Sequence, residues 1–302
     1  MSETVRVRTA QQIEEDRHWW FASRTWALLG MLDRVVANHD GPAGQALRLR
    51  SGQALSQSPE PCPERSRRGS EGAVEGLSAG LRVLDVGCGA GNMIHHLSRY
   101  GQVKGVEIDP RPIAVARQRG YDVEQGDATR PLPFQAGSFD LVAALDLIEH
   151  NQDDTAILQE CYRLLAPGGH VVMTVPAFMW LWSNNDVINA HVRRYTTAEL
   201  GDKLQQVGFR IRRMTYNNFL VFPLAAALIL ARRGTEREPR LASHHLAQDE
   251  YQVEMEPAPP LLNMILSVVG WVEAQILRWL NLPVGTSIIC IAEKPSQAQG
   301  RV

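Results

Sequence analysis

Gly87, Gly89 and Gly91 occupy every second position of LRVLDVGCGAGN (residues 81–92), and beside them stand Asp85 and Cys88. Without Cβ atoms the three glycines leave bare backbone for a ligand to approach and permit positive φ where a tight turn needs it. The chemistry this suits is binding of a nucleotide-like cofactor, against the blander reading of a structural strand-to-helix turn. Further acidic residues follow at intervals. Glu107 ends the segment VKGVEIDP, where a carboxylate can accept both hydroxyl protons of a ribose or simply face solvent at a loop edge. Asp127 and Ala128 close YDVEQGDA, and Asp146, Glu149 and His150 close FDLVAALDLIEH. A second group, NAHVRRYT, offers His191 as a base near neutral pH, while Arg193, Arg194 and Tyr195 suit an anionic acceptor such as a phosphate or carboxylate. Its alternative is a solvated loop leading into a helix at Thr197. His150 is the second candidate base, and a lone histidine of this kind also serves as a helix cap or packing residue.

These residues need strands that end beside one another. Leu81, Val83, Leu84 and Val86 form the short apolar run of a buried parallel strand, and the residues from Asn92 onward read as a helix whose first amides face the ligand. Further strands are expected at Val103–Glu107, within Tyr121–Ala128 and at Phe139–Leu145. An amphipathic helix, a Pro-Gly-Gly turn and a fifth strand follow within Ile157–Ala177. Strand alternating with helix gives a parallel sheet wound on both faces, with ligands at the C-terminal strand ends.

The glycine spacing departs from G-x-G-x-x-G, because the third position of that pattern is Asn92. An NAD-dependent dehydrogenase is disfavoured on that ground. The run instead resembles the D-x-G-x-G-x-G signature of class I S-adenosylmethionine-dependent methyltransferases, and the resemblance extends from Leu81 to about Tyr216. Within the class, the F-D-L-V…L-x-x-x-E-H run and L-x-P-G-G resemble the branch acting on small molecules and lipid intermediates, including ubiquinone-biosynthesis O-methyltransferases. The resemblance implies an α/β fold with a doubly wound, seven-stranded Rossmann-like sheet; to this the chain adds an N-terminal helical segment and a long hydrophobic helical insertion before the last strand, where the resembling fold has a short hairpin. It implies S-adenosyl-L-methionine as cofactor, held by Asp85, Gly87, Cys88, Gly89, Gly91, Glu107, Asp127, Ala128 and Asp146, with Asp127 meeting the adenine amino group. It also implies O-methylation of a small or lipid-linked acceptor, such as a quinone precursor or a glycolipid sugar; in-line methyl transfer requires no metal, and an oxygen acceptor benefits from a base, for which His191 and then His150 are the candidates. A non-catalytic adenosylmethionine- or nucleotide-binding adaptor, working through the hydrophobic insertion, is the competing function.

The rest of the chain bounds these readings. Its 302 residues suffice for one α/β domain with additions, and a net charge of −2 supplies no basic field for nucleic acid. The end of strand four reads DLIEH rather than the Asn/Asp-Pro-Pro-aromatic box of base-amino methyltransferases. Cys62, Cys88, Cys161 and Cys290 lack C-x-x-C spacing, so neither zinc nor a disulfide framework is indicated. MSETVRVRTA carries no apolar leader, which points to the cytoplasm.

Five segments follow. Residues 1–40 contain RHWWFASR ahead of a helix expected over Thr25–Asn38, with Trp26, Leu29, Leu32 and Val36 as its apolar face; Trp19, Trp20 and Phe21 are either core anchors or a lid that shuts out water. Under the lid reading His18 or Arg24 meets the substrate or the methionine carboxylate, and Trp19, Trp20 and Arg24 join the substrate-binding set. Residues 41–80, with two GQAL tetrads and SPEPCPERSRRGSEG, are too polar to offset their ordering entropy and read as a disordered surface insertion. Residues 81–215 are the cofactor-binding core and 286–302 the last strand and tail. Between them, residues 216–285 carry FLVFPLAAALILA and LLNMILSVVGWVEAQILRWL, the latter with Asn263, Ser267, Gly270 and Ala274 on one narrow stripe. The first run is too short to cross a bilayer, and the second carries charges and must return to the sheet. Peripheral membrane contact or a cover for a lipid-like acceptor stands against a homodimer interface or an extra core layer.

Overall fold

Both faces of the strand Leu81–Val86 are buried, because its alternate residues enter two different cores. Leu84 and Val86 point to one side, and Leu81 and Val83 to the other, as the two-residue period of a strand requires. The computed structural model describes residues 17–37, 80–232 and 259–296. The expected insertion at 41–80 therefore lies, but for Gly80, outside the described residues.

In chain order the elements are α1 (Trp19–Ala37), β1 (Leu81–Val86), α2 (Ile94–Leu97), β2 (Gly101–Glu107), α3 (Pro110–Gln118), β3 (Val123–Gln125), β4 (Phe139–Leu145), α4 (Asp154–Leu164) and β5 (Leu165–Pro176). They continue with α5 (Asn184–Ile188), α6 (Thr197–Val207), β6 (Arg210–Asn217), α7 (Phe222–Arg232), α8 (Pro260–Leu277) and β7 (Ser287–Glu293). The sheet has seven strands in the order β3-β2-β1-β4-β5-β7-β6. Only β7 runs against its neighbours, pairing antiparallel with both β5 and β6. The order reverses between β1 and β4, which opens a crevice at their C-terminal ends.

Helices cover both faces. One core packs α4 and α6 against the sheet through Ile157, Leu158, Cys161, Leu200 and Leu204. The other packs α1 and α8, with Leu28, Met31, Leu32, Ala274 and Leu277 against Val83, Leu141, Val172 and Ile289. The stripe Asn263, Gly270, Ala274 is thus the seam between α8 and α1: a Cβ on Gly270 would come within 2.5 Å of Ser23 Cβ.

Several expectations change. The first helix starts at Trp19 rather than Thr25, so Trp19 and Trp20 are helical, and the residues from Ala27 to Val36 pack into the core. Trp26 lies off its apolar face, 39% exposed, while Leu29, Leu32 and Val36 are buried as expected. The helix after the glycine turn is a single turn, Ile94–Leu97, preceded by turns. The Pro-Gly-Gly turn is absorbed into β5, where Gly168 takes φ 80° and the register against β4 shifts between Phe139 and Leu141. Cys88, Cys161 and Cys290 are buried free thiols, each pushed up by burial.

Candidate active site

The turn after β1 is built as the glycines require. Gly87, Gly89 and Gly91 have φ of 71°, 53° and 81°. Two of them answer to internal packing as well, because a Cβ on Gly87 would meet Leu147 Cδ1 at 2.7 Å and one on Gly91 would meet Tyr121 Cδ2 at 2.4 Å. Val106 C=O accepts from the N–H groups of Gly87 (2.7 Å) and Cys88 (3.0 Å), tying the turn to β2.

Glu107 then closes the turn. Its Oε2 accepts from Gly89 N–H at 3.0 Å, while Oε1 accepts from Ile108 N–H (2.7 Å) and Asp109 N–H (3.0 Å). A carboxylate offers about four lone-pair sites. Three are engaged, so one site remains on Oε2, and taking both ribose hydroxyls requires one backbone bond to yield. Asp127 follows β3, and Gly126 N–H donates to Glu107 C=O at 2.9 Å, setting Asp127 next to that strand end. Its carboxylate is lowered by the hydroxyl and backbone N–H of Thr129. Ala128 packs partly buried against the core.

On the other side of the turn, α1 delivers a buried cation. Arg24, 8% exposed, ion-pairs with Asp146 and lies against the rings of Trp20 and Phe21, 5.1 and 5.3 Å from their centroids. Asp146 is held at φ 48° by Thr174, whose C=O and Oγ1 accept from its N–H and whose hydroxyl donates to its carboxylate at 2.8 Å. Burial pushes Asp85 up to about 7, and Arg24 offsets part of that rise. Trp19 is half-buried and its N–H donates to Asn263 on α8, so it fastens two helices together.

His191 and His150 come together. Their rings meet edge to face with centroids 4.8 Å apart, and one donor atom from each, with one from Glu149, lie within 4.8 Å of one another. No direct hydrogen bond joins the three, since neither Glu149 oxygen has a hydrogen-bond partner among the described residues. Asp186, wholly buried, accepts from His191 Nδ1 at 2.9 Å and from Arg194 Nε at 2.7 Å. Although burial opposes it, those two bonds hold the Asp186 carboxyl well below the usual range. Burial pushes Glu149 up to about 8, and neither of its oxygens has a hydrogen-bond partner among the described residues. Burial and the neighbouring His191 lower His150.

Arg193, Arg194 and Tyr195, expected to meet the acceptor, are engaged internally. Arg193 donates to Asp154 (3.0 Å) and Gln152 C=O (2.8 Å), and Arg194 grips both Asp186 oxygens. Tyr195 is 2% exposed and donates to Asp154 at 2.7 Å. Their hydrogen bonds tie the His191 loop to Asp154 and Asp186. Sequence reasoning passed over Asp186, five residues before His191, and an aromatic cluster after β5: Phe178 stacks on Tyr216 at 4.9 Å and lies 5.7 Å from Trp180.

Comparison with known proteins bears on this geometry. Residues 84–173, from β1 into β5, match the model of a methyltransferase domain. These residues form a class I methyltransferase domain. Related sequences include a ubiquinone biosynthesis O-methyltransferase of Xanthomonas oryzae pv. oryzae, 39% identical over 103 residues, which is 32% of this chain and 43% of that protein. Another of the same name from Pseudomonas aeruginosa is 34% identical over 130 residues, 41% of this chain and 51% of that protein. The chain thus spans about half or less of the length of these relatives. Among solved structures, an S-adenosylmethionine-dependent methyltransferase from Mesorhizobium loti aligns over 71% of this chain and 91% of its own, with 18% identity and a TM-score of 0.45. The cofactor of such a domain is S-adenosylmethionine, and the matched residues fit it with a glycine turn latched to a strand-end carboxylate, while α1 brings up the buried Arg24 from outside them.

Proposed function

We propose that this chain methylates an oxygen atom of a small or lipid-linked acceptor, using S-adenosylmethionine. The observation that carries the reading is the glycine turn closed on Glu107 within the matched residues. The names of the two relatives support oxygen as the acceptor atom and a quinone precursor as an acceptor class. When bound, the sulfonium supplies an electrophilic methyl group for in-line displacement, so the protein's task is alignment and exclusion of water. Glu107 takes the ribose hydroxyls, Asp127 the adenine amino group, and Arg24 the methionine carboxylate, which competes with Asp146 for the guanidinium. An ionised Asp186 can only accept, so it fixes the proton of His191 on Nδ1 and leaves Nε2 to take the acceptor's proton. His150 stands beside it as the second candidate base.

One pair of variants separates the two halves of this site. Glu107→Ala should weaken adenosylmethionine binding by roughly 1–3 kcal/mol in calorimetry, from lost charge-assisted bonds. His191→Ala should leave that affinity intact and cost about a hundredfold in turnover with a quinol-type acceptor. Tighter binding of NAD than of adenosylmethionine by the parent chain would sink the reading.

A further inference from the structure

We propose that α7 and α8 form a docking face that seats this protein on an anionic lipid bilayer, lying along the headgroup region without crossing it. On α8, Leu261, Ile265, Val268 and Trp271 are all about half exposed or more, at spacings of three and four residues that place them along one side of the helix. Leu224 and Leu228 expose a matching pair on α7. So much apolar surface in one insertion exceeds what scattered surface residues account for.

Charge selects the occupant. The helices Phe222–Arg232 and Pro260–Leu277 contain one acidic residue, Glu273, and it is buried, its two oxygens accepting from the N–H groups of Phe219 and Leu220. Basic residues stand at the boundary instead. The Arg34 guanidinium lies 3.6 Å from the ring centroid of Trp279, and Arg278 is exposed beside it. Tryptophan with arginine at the edge of an apolar strip is the composition that an interface between acyl chains and anionic headgroups favours. The chain between the two helices, with TEREPR and QDE, has no apolar run able to cover the face itself.

Anchoring excludes a crossing. Although Pro260–Leu277 is long and apolar enough to span a membrane, it is tied down at both ends. Asn263 bonds Trp19 N–H and Arg17 C=O near its start. Near its end Arg213 of β6 donates to the C=O groups of Leu277, Arg278 and Leu280. Gly270 and Ala274 press the middle against α1. Phe222, the first residue of α7, lies 6.2 Å from Phe178 in the loop after β5. The docked face therefore adjoins the side of the sheet where His191 stands.

Flotation of the full chain on vesicles of equal parts phosphatidylcholine and phosphatidylglycerol tests this. The parent protein should float, and a variant with Leu261, Ile265, Val268, Trp271 and Trp279 changed to serine should float roughly tenfold less. The lighter variant L261S V268S, which leaves the Arg34–Trp279 stack in place, should show an intermediate loss with unchanged circular dichroism. Equal flotation of parent and variants overturns the proposal. So does a parent chain that stays soluble; if it is then a dimer by light scattering that the same changes dissociate, the face belongs to a second copy.

Discussion

Glu149 is the residue whose chemistry is least at ease in this fold. It is fully buried, it lacks hydrogen-bond partners among the described residues, and its carboxyl is pushed up to about 8 by burial. The sign of its effect on stability follows from proton counting. Between the unfolded value of 4.5 and the folded value of about 8, the native chain keeps a proton that the unfolded chain releases. Stability is therefore lost as pH rises through that window, and no more is lost above it. Glu149→Gln removes the titration but keeps the shape. Urea unfolding should find the variant gaining ~1–3 kcal/mol on the parent between about pH 5 and about pH 8. Asp85 titrates in both proteins, so it drops out of the difference. Parallel pH profiles for the two would mean that Glu149 has partners that satisfy its charge.

At the scale of elements, α1 joins α8 to the C-terminal end of β4. One of its faces meets α8 at the Gly270 seam, and its first turns carry Arg24 to Asp146. Gly270→Leu should force the helices apart, costing about 1–3 kcal/mol by overpacking. Because Arg24 rides on the displaced helix, adenosylmethionine affinity should fall together with the melting temperature. A loss of stability with unchanged calorimetric affinity would show that Arg24 is positioned by the sheet alone. Little of this was legible in the sequence, whereas the sheet was. The strands at 81–86 and 139–145 announce themselves because burial on both faces demands mostly apolar runs, and the turn announces itself through glycine. Small residues on one stripe of α8 gave its seam but not its partner. The partners of charged groups are set by tertiary placement: nothing local in VRRYT reveals that Asp154 and Asp186 will absorb Arg193, Arg194 and Tyr195. The same reason hid the Arg24–Asp146 pair, whose members lie in different layers.

Over the whole molecule, the described residues make one α/β unit whose first helix and first strand meet in a common core. Val36, near the end of α1, and Leu81, at the start of β1, belong to the same buried cluster and line one small cavity. The chain between them, from residue 38 to residue 79, therefore has only a short gap to bridge. Its sequence offers polar, proline, glycine and arginine residues and neither a two-residue nor a helical apolar period. A chain of ten residues reaches ~33 Å when extended, ample for neighbours in one core. Replacing residues 38–79 with a Gly/Ser linker of about ten residues should leave the melting temperature within a few degrees and adenosylmethionine affinity unchanged. Loop closure gives the expected direction, because a shorter linker costs the folded state slightly less entropy. A large fall in melting temperature would assign packed structure to this segment, and lost binding at an unchanged melting temperature would assign it to the cofactor site.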